Sequence, residues 1–243
     1  MSALLSVNGV SKRFRGLVAV DRASFDVPHG GIFAVIGPNG AGKTTLFNTI
    51  AGVLRPDVGT IAFDGERIDG LPPDRICRRG IGRTFQIVRP FLALSVEDNV
   101  IVGALLHRRN VVDARTRAHE VLRRLDLYDK RAQRASSLTL PDRKRLEVAR
   151  ALATDPKLLL LDEVMAGLRP TETDRMVAIL QGLNRDTGLT ILLIEHVMRA
   201  VMALASRILV LHHGAAIAEG PPDEVIRDRA VIDSYLGVEA IDA

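Results

Sequence analysis

One nine-residue segment constrains this chain more than any other, the run Gly37-Pro-Asn-Gly-Ala-Gly-Lys-Thr-Thr45. It contains the full pattern Gly-x-x-x-x-Gly-Lys-Thr and follows an apolar, strand-like stretch at 32–36. Glycines in such a loop let successive backbone N–H groups turn inward around phosphates, where a Cβ would crowd the anion. A helix that begins at Lys43 would point its free N–H groups and the positive end of its dipole at the same charge. The segment therefore predicts a phosphate-binding loop between a strand and a helix.

The pattern also assigns roles to individual residues of this loop. We expect Lys43 to reach the β- and γ-phosphates of ATP and Thr44 to ligate Mg2+. A glycine-rich turn with only a structural role is the alternative, but a random chain of this length contains the pattern with a probability of about 1%. The residues expected to bind ATP are therefore Gly37, Pro38, Asn39, Gly40, Ala41, Gly42, Lys43, Thr44 and Thr45.

A second element, Leu158-Leu-Leu-Leu-Asp-Glu163, ends an apolar strand with two carboxylates. Open α/β sheets place their ligand sites at the carboxyl ends of strands. We therefore expect Asp162 to help hold Mg2+ and Glu163 to polarise an attacking water, which favours hydrolysis of the nucleotide over its storage. A solvated Asp–Glu pair in a loop is the alternative interpretation.

Hydrophobic periodicity predicts the architecture around these two elements. Apolar runs at 32–36, 157–161, 190–194 and 207–211 favour buried strands, and a helical pattern at 171–186 separates two of them. Strands that alternate with helices indicate an α/β fold whose parallel sheet is wound by right-handed crossovers.

Other segments predict smaller pieces of structure. Residues 4–27 contain short strand-like pieces separated by Gly9 and Gly16, and residues 60–68 read as a hairpin that turns at Asp64-Gly65. Residues 73–154 have a helical, arginine-rich pattern. A further strand at 215–219 is expected to pair back through a turn at His213-Gly214.

Composition restricts the compartment and the partners. The single cysteine, Cys77, cannot form an internal disulfide, which is typical of a reducing compartment. The first residues lack the pattern of a leader peptide, and no apolar run approaches the about 20 residues that span a bilayer. We therefore expect a soluble chain that reaches a membrane only through a partner.

Positive charge is concentrated in one part of the chain. The net charge is only +4, but residues 75–150 contain 18 Lys/Arg against 8 Asp/Glu. A solvated helical face is one interpretation of this basic region. Contact with an anionic surface, such as the inner leaflet of a membrane or a nucleic acid, is the other.

Four more features follow the order of a known family. Phe14 precedes the phosphate loop, Gln86 closes the segment Arg83-Thr-Phe-Gln86, residues 138–152 occupy the place of a signature sequence and its helix, and Glu195-His196 ends the next strand. Together with the loop and the two carboxylates, they resemble the ATP-binding-cassette (ABC) ATPases over nearly the whole chain.

This resemblance implies a P-loop NTPase (RecA-like) fold: a parallel sheet core with an N-terminal antiparallel β subdomain and an α-helical subdomain. It implies a single ABC ATPase domain over 1–243. Residues 1–74 and 155–243 would form the nucleotide-binding core with the β subdomain, and residues 75–154 the helical subdomain that carries the signature.

The resemblance also implies roles for single residues. Phe14 would stack on adenine, Gln86 would contact Mg2+ or the attacking water, and His196 would hold the γ-phosphate and that water. Taken alone, a glutamine, phenylalanine or histidine is more often a core or surface residue than a ligand.

Within that family the chain is most similar to the ATP-binding subunits of branched-chain amino acid importers, through the stretches 82–92, 166–170, 191–198 and 235–239. Importers of urea, amides or aromatic compounds share these stretches, so the solute stays open. Such a subunit would lie on the cytoplasmic face of the plasma membrane. Its partners would be two transmembrane permeases, a second ATPase subunit and a solute-binding protein.

The signature departs from the family pattern, since Leu138-Thr-Leu-Pro-Asp142 stands where Leu-Ser-x-Gly-Gln is usual. Thr139 keeps a hydroxyl. Pro141 removes a backbone N–H that would meet the γ-phosphate bound by a partner, and Asp142 would add negative charge near that anion. Because proline fits the first turn of a helix, we still expect the helix to form.

Two further positions differ from the family: Val164 stands where proline is common, and Arg169 where aspartate is usual. The chain's own phosphate loop and Glu163 match the pattern while the surface it offers a partner does not. We therefore expect a head-to-tail heterodimer with a different ATPase subunit. The alternatives are a regulatory subunit that hardly hydrolyses ATP, and a soluble ABC protein acting on nucleic acid or ribosomes. The chain has neither the tandem cassettes nor the long coiled coil usual in the latter, so no nucleic acid is expected.

Overall fold

The structure is a computed structural model and describes residues 3–84 and 90–239. Within those residues the strands form two sheets, and the helices follow or cover them. The strands are β1 (Ala3–Phe14), β2 (Leu17–Pro28), β3 (Ile32–Ile36), β4 (Val58–Phe63), β5 (Glu66–Arg67), β6 (Ile81–Arg83), β7 (Leu158–Asp162), β8 (Thr190–Ile194), β9 (Arg207–His212) and β10 (Ala215–Gly220). The helices are α1 (Lys43–Ile50), α2 (Pro73–Arg78), α3 (Val96–Ala104), α4 (Val111–Arg124), α5 (Leu140–Leu152), α6 (Pro170–Thr187), α7 (Met198–Leu204), α8 (Pro222–Val225) and α9 (Arg229–Glu239).

The larger sheet has the strand order β10-β9-β3-β8-β7-β6, and its strands from β9 to β6 are parallel. Every residue of β3, β7 and β8 is buried, because the sheet is covered on both faces. Alternate side chains of β3 enter different cores: Ile32, Ala34 and Ile36 join one apolar cluster with α5 and α6, and the residues between them join another with α1 and β1. These strands confirm the parallel sheet predicted from the apolar runs.

The smaller sheet is antiparallel and has the order β2-β1-β4-β5. Its first two strands are twelve residues each, longer than the short pieces predicted. Gly9 does not break β1, since its positive φ of 58° is accommodated where the register shifts within the strand. The hairpin at Asp64-Gly65 is confirmed, with φ positive at both residues as a type I′ turn requires.

Helices α3, α4 and α5 follow β6 and precede β7 along the chain, and the three helices pack against one another. One face of α4 is apolar and buried, and it includes Ala118, Val121 and Leu122. Strand β6 was not predicted: it lies within the range 75–154 assigned to the helical subdomain, yet it pairs with β7 at the edge of the core sheet. No helix in the described ranges is both long enough and apolar enough to cross a membrane. The α/β fold class is confirmed, and the exact division into subdomains stays a prediction.

Candidate nucleotide-binding and hydrolysis site

The candidate site lies at the carboxyl ends of the parallel strands. The phosphate loop follows β3, and the two predicted carboxylates come at the end of β7. Strand β8 pairs with both of these strands and so lies between them. This placement agrees with the position of ligand sites in open α/β sheets.

Two glycines of the loop occupy positions where no other residue fits. At Gly37 φ is 146°, and a Cβ would lie 2.1 Å from the carbonyl oxygen of Leu211. At Gly42 φ is 100°, and a Cβ would lie 2.1 Å from the carbonyl oxygen of Ala19. The glycines are therefore needed for the close approach of the loop to β9 and β2 as well as for its curvature.

Lys43 begins α1, and its ammonium is turned onto the loop. Its Nζ donates hydrogen bonds to the carbonyl oxygens of Gly37 at 2.7 Å and Pro38 at 2.9 Å. Burial lowers the pKa of Lys43, and the charges of Glu163 and Asp162 oppose that shift. The loop thus holds a cation within reach of both carboxylates.

A cavity of about 560 Å³ opens over this loop. Phe14 is 43% exposed in its wall, so it is not a core aromatic. The cavity brings together most of the residues predicted to bind ATP and the predicted catalytic carboxylate. Its lining comprises Phe14, Leu17, Val18, Ala19, Asn39, Gly40, Ala41, Gly42, Lys43, Thr44, Thr45, Glu163 and His213.

Asp162 is 1% exposed, and only one of its two carboxylate oxygens has a hydrogen-bond partner among the described residues. Its Oδ2 lies 3.3 Å from Nη2 of Arg83, whose Nη1 donates to Asn48 on α1 at 2.7 Å. Its Oδ1 is buried and has no hydrogen-bond partner among the described residues. Burial raises the pKa of Asp162, and Arg83 opposes the shift. A buried carboxylate oxygen without a donor and the hydroxyl of Thr44 are the hard oxygen ligands that Mg2+ takes, so the residues fit that ion.

Glu163 has a left-handed backbone, with φ at 49°. Such a conformation costs a non-glycine residue about 1 kcal/mol or more and is maintained only by surrounding contacts. The backbone N–H of Glu163 donates to the carbonyl oxygen of Ile194 at 3.0 Å, which joins this turn to the end of β8. The turn carries the side chain of Glu163 to the cavity wall.

One predicted catalytic residue, His196, does not line this cavity in the structure. His196 is exposed just after β8. Gln86 lies outside the described residues, so its predicted role stays a prediction.

The altered signature forms the start of α5. Leu140 and Pro141 are its first residues, as expected for a proline in a first turn. Asp142 is 3% exposed, and its carboxylate is paired with Lys130 and Arg145 of the same chain. The expectation that Asp142 adds negative charge near a partner's nucleotide stays a prediction, and the structure adds that two cations of the same chain offset this charge.

Sequence reasoning gave no role to several residues that contact the site. They are Arg83 beside Asp162, Asn48 beside Arg83, and Lys144 and Glu195 beside the turn that carries Glu163. Glu195 follows a buried strand, so the rule that located Asp162 could have found it. For Lys144, the only indication in the sequence was a charged residue on the face of a helix that was expected to be buried.

Residues 20–166 match the sequence profile described as ABC transporter. The chain belongs to the ABC transporter family. It is accordingly an ATP-binding-cassette ATPase, and the family resemblance of its motifs is confirmed. A second profile, described as branched-chain amino acid ATP-binding cassette transporter, matches residues 217–241.

Curated relatives cover nearly the whole chain. The high-affinity branched-chain amino acid transport ATP-binding protein LivG of Salmonella typhimurium is 41% identical over 96% of this chain and 98% of its own length. The corresponding protein BraF of Pseudomonas aeruginosa is 38% identical over the same shares. The lipopolysaccharide export system ATP-binding protein LptB of Escherichia coli is 37% identical over 97% of this chain and 98% of its own length.

Solved structures share the fold. A nucleotide-free ATP-binding cassette from an ABC transporter has a TM-score of 0.88 and 29% identity over 96% of this chain and 99% of its own. A cassette in its ADP conformation has a TM-score of 0.89 and 29% identity over 98% of this chain and 100% of its own. The predicted ABC ATPase fold is thereby confirmed.

Proposed function

We propose that the chain is the subunit that hydrolyses Mg-ATP to power an importer of branched-chain amino acids or related solutes. The observation that carries the hydrolytic part is the meeting of the phosphate loop and Glu163 in one cavity, with the buried carboxylate of Asp162 next to Glu163. Family membership supplies the link to transport.

The residues of this site would divide the work as follows. Lys43 and the backbone N–H groups of the loop would bind the phosphates, and Phe14 would cover the adenine ring. Mg2+, when bound, would neutralise charge on the phosphates; Thr44, Asp162 and Gln86 are the residues proposed to hold it. Glu163 would orient the attacking water and accept its proton, and His196 and Gln86 would hold that water and the γ-phosphate once the site closes.

The proposed class of solute depends on the sequence near the C-terminal end of the chain. Overall identity separates solute classes poorly, because an export-system protein matches almost as well as the amino acid transport proteins. The segment 217–241 is more selective, since it matches a profile specific to branched-chain amino acid transporters. The described part of this segment, 217–239, runs from β10 through α9, and the Gly37 backbone lies beside the hydroxyl of Tyr235. Tyr235 therefore connects this segment to the start of the phosphate loop.

The proposed partners are two permeases, a different ATPase subunit and a solute-binding protein. The different ATPase subunit is favoured by Pro141, which removes a backbone N–H from the signature, and by the engagement of Thr139 with Asp142. Replacing Pro141→Gly, which restores that N–H and leaves the pairing of Asp142 intact, should raise ATP hydrolysis by the purified chain. Brisk, cooperative hydrolysis by the unmodified chain alone would contradict the heterodimer.

The proposed location is the cytoplasmic face of the plasma membrane, with the helical region 75–150 nearest the permease. Part of its positive charge is used internally, for example by Arg117 and Arg108 on Asp155 and by Arg115 on Glu97. Binding to anionic vesicles that weakens as salt increases would support direct contact with lipid, and equal binding to neutral vesicles would argue against it.

Glu163→Gln tests the hydrolytic function. We expect ATP binding to persist while the hydrolysis rate falls by about 100-fold or more, because an amide cannot accept the proton of the attacking water. Glu120→Gln, on an exposed helix face, is the matched control and should leave the rate unchanged. An unchanged rate in Glu163→Gln would favour the regulatory alternative with little turnover.

A further inference from the structure

A lysine of the signature helix is buried among the acidic residues of the site. Lys144 lies on α5 and is 5% exposed. Burial lowers the pKa of Lys144 below its ordinary value, and the charges of Glu195, Glu163 and Asp162 oppose that shift. A lysine is buried at such a position only when its ammonium has partners that replace water.

The ammonium of Lys144 is directed at the backbone that carries the catalytic carboxylate. Its Nζ donates a hydrogen bond to the carbonyl oxygen of Glu163 at 2.9 Å. The N–H of the same residue donates to Ile194 at the end of β8. Both backbone polar groups of a residue in the left-handed region are thus held: the N–H by the sheet, and the carbonyl oxygen by Lys144 on α5 together with the N–H of Ala166 at 3.2 Å.

A second buried side chain holds the same turn. Glu195 is 1% exposed, and its Oε1 accepts a hydrogen bond from the backbone N–H of Met165 at 2.8 Å. Its Oε2 is buried without a hydrogen-bond partner among the described residues. Since Glu195 immediately precedes His196, this contact ties the turn at 163–165 to the predicted γ-phosphate-sensing residue.

We propose that Lys144 is a positioning residue that couples the signature helix to the catalytic carboxylate of its own chain. Because α5 begins at the signature, a displacement of its first turn by a partner's nucleotide would move Lys144, the side-chain donor to the Glu163 carbonyl, relative to the local N–H of Ala166 that shares this acceptor. Glu195 holds the other side of the turn, so the displacement would change the direction of the Glu163 side chain. The inference rests on the proposed role of Glu163.

Lys144→Met tests this coupling, since methionine fills a similar volume and donates no hydrogen bond. With the purified full-length chain under single-turnover conditions, we expect the rate of hydrolysis at saturating Mg-ATP to fall about tenfold or more, because small displacements of catalytic groups are costly. The Mg-ATP concentration at half-maximal rate should change less than threefold. Lys144→Arg, which keeps a cationic donor, should recover part of the rate, whereas Lys157→Met at an exposed ion pair should behave as wild type.

Two further variants distinguish a loss of coupling from misfolding and from an error in the proposed role of Glu163. Lys144→Met with Glu195→Gln removes the cation and one of its carboxylates, so it should fold and still hydrolyse slowly. Adding Lys144→Met to Glu163→Gln should produce no further loss, because the two changes act through one group. A normal rate in folded Lys144→Met would overturn the coupling, as would an equal loss of rate and nucleotide affinity. A normal rate in Glu163→Gln would instead overturn the proposed role of Glu163.

Discussion

The side chains of Thr139 and Asp142 are joined, since the threonine hydroxyl donates a hydrogen bond to Oδ2 of the carboxylate at 2.8 Å. The same carboxylate is paired with Lys130 and Arg145. The hydroxyl that the altered signature retains is therefore turned toward its own chain. The unusual residues at this place stabilise the start of α5 as well as changing what is offered to a partner.

Asp142→Asn should reduce the free energy of unfolding by about 2 kcal/mol at pH 7, because it removes the buried negative charge that Lys130 and Arg145 share. Urea denaturation of the purified chain measures the change. Asp129→Asn, at an exposed position next to Lys130 in the chain, is the control and should stay within about 0.5 kcal/mol of wild type.

The pH dependence of that loss follows from the carboxyl group. Burial alone would raise the pKa of Asp142, but hydrogen bonds from Lys130 and Thr139 and the charge of Arg145 lower it below its ordinary value. A lowered folded-state pKa contributes stability above the unfolded-state value of about 3.9 and loses it as the pH falls further. The difference between wild type and variant should therefore be constant from pH 5 upward and shrink below about pH 4. A difference that grows on acidification would contradict this assignment.

Glu195→Gln should stabilise the protein at alkaline pH. Burial raises the pKa of Glu195 to about 7, so the folded state binds its proton more tightly than the unfolded state does. Stability then falls as the pH rises from about 4.5 to 7, and the full cost of about 3 kcal/mol is present above that range. Thermal unfolding should show the variant more stable than wild type at pH 8 and equal to it near pH 4. Parallel pH curves for the two proteins would show that the carboxyl titrates normally.

Phe14→Ala should weaken ATP binding about tenfold, as expected when one aromatic side chain no longer stacks on a base. Because the ring is 43% exposed, the melting temperature should change little. Titration with a fluorescent ATP analogue measures the affinity, and Phe14→Trp should retain it. Val58→Ala, exposed on the same sheet but absent from the cavity lining, is the control. Unchanged affinity in Phe14→Ala would place the adenine ring elsewhere.

Gly42→Ala and Gly40→Ala form a matched pair within the loop. Both glycines have positive φ, so each substitution introduces backbone strain of about 1 kcal/mol. Only at Gly42 does the new Cβ meet a backbone atom, the carbonyl oxygen of Ala19, while nothing lies within 4 Å at Gly40. Gly42→Ala should therefore lower the melting temperature clearly more. Equal effects would mean that the loop moves freely away from β2.

The sequence predicted the parts of this molecule that depend on local patterns. Apolar runs identified β3, β7, β8 and β9, since buried parallel strands are continuous in hydrophobicity, and a short motif identified the phosphate loop. Strand β6 was not predicted, because three residues are too few to show a hydrophobic periodicity.

The contacts around Glu163 could not be predicted, because they join residues far apart in the chain. Lys144 lies 19 positions from the carbonyl it holds, and Glu195 lies 30 positions from Met165. The pairing of Asp142 likewise depends on Lys130, which another turn of the chain supplies. Charge taken from sequence alone says nothing about which neighbours neutralise it. The roles of Gln86 and His196 stay predictions.

The position of β8 has a further consequence. It lies between the strand that leads into the phosphate loop and the strand that ends in Asp162, so two inter-strand spacings of about 4.8 Å set the separation of their ends. The distance between the carboxyl ends of β3 and β7 is thus set by main-chain hydrogen bonds. It does not depend on which aliphatic side chains fill the sheet. Substitutions in β8 can accumulate over evolution without widening or narrowing the gap that the phosphates must bridge.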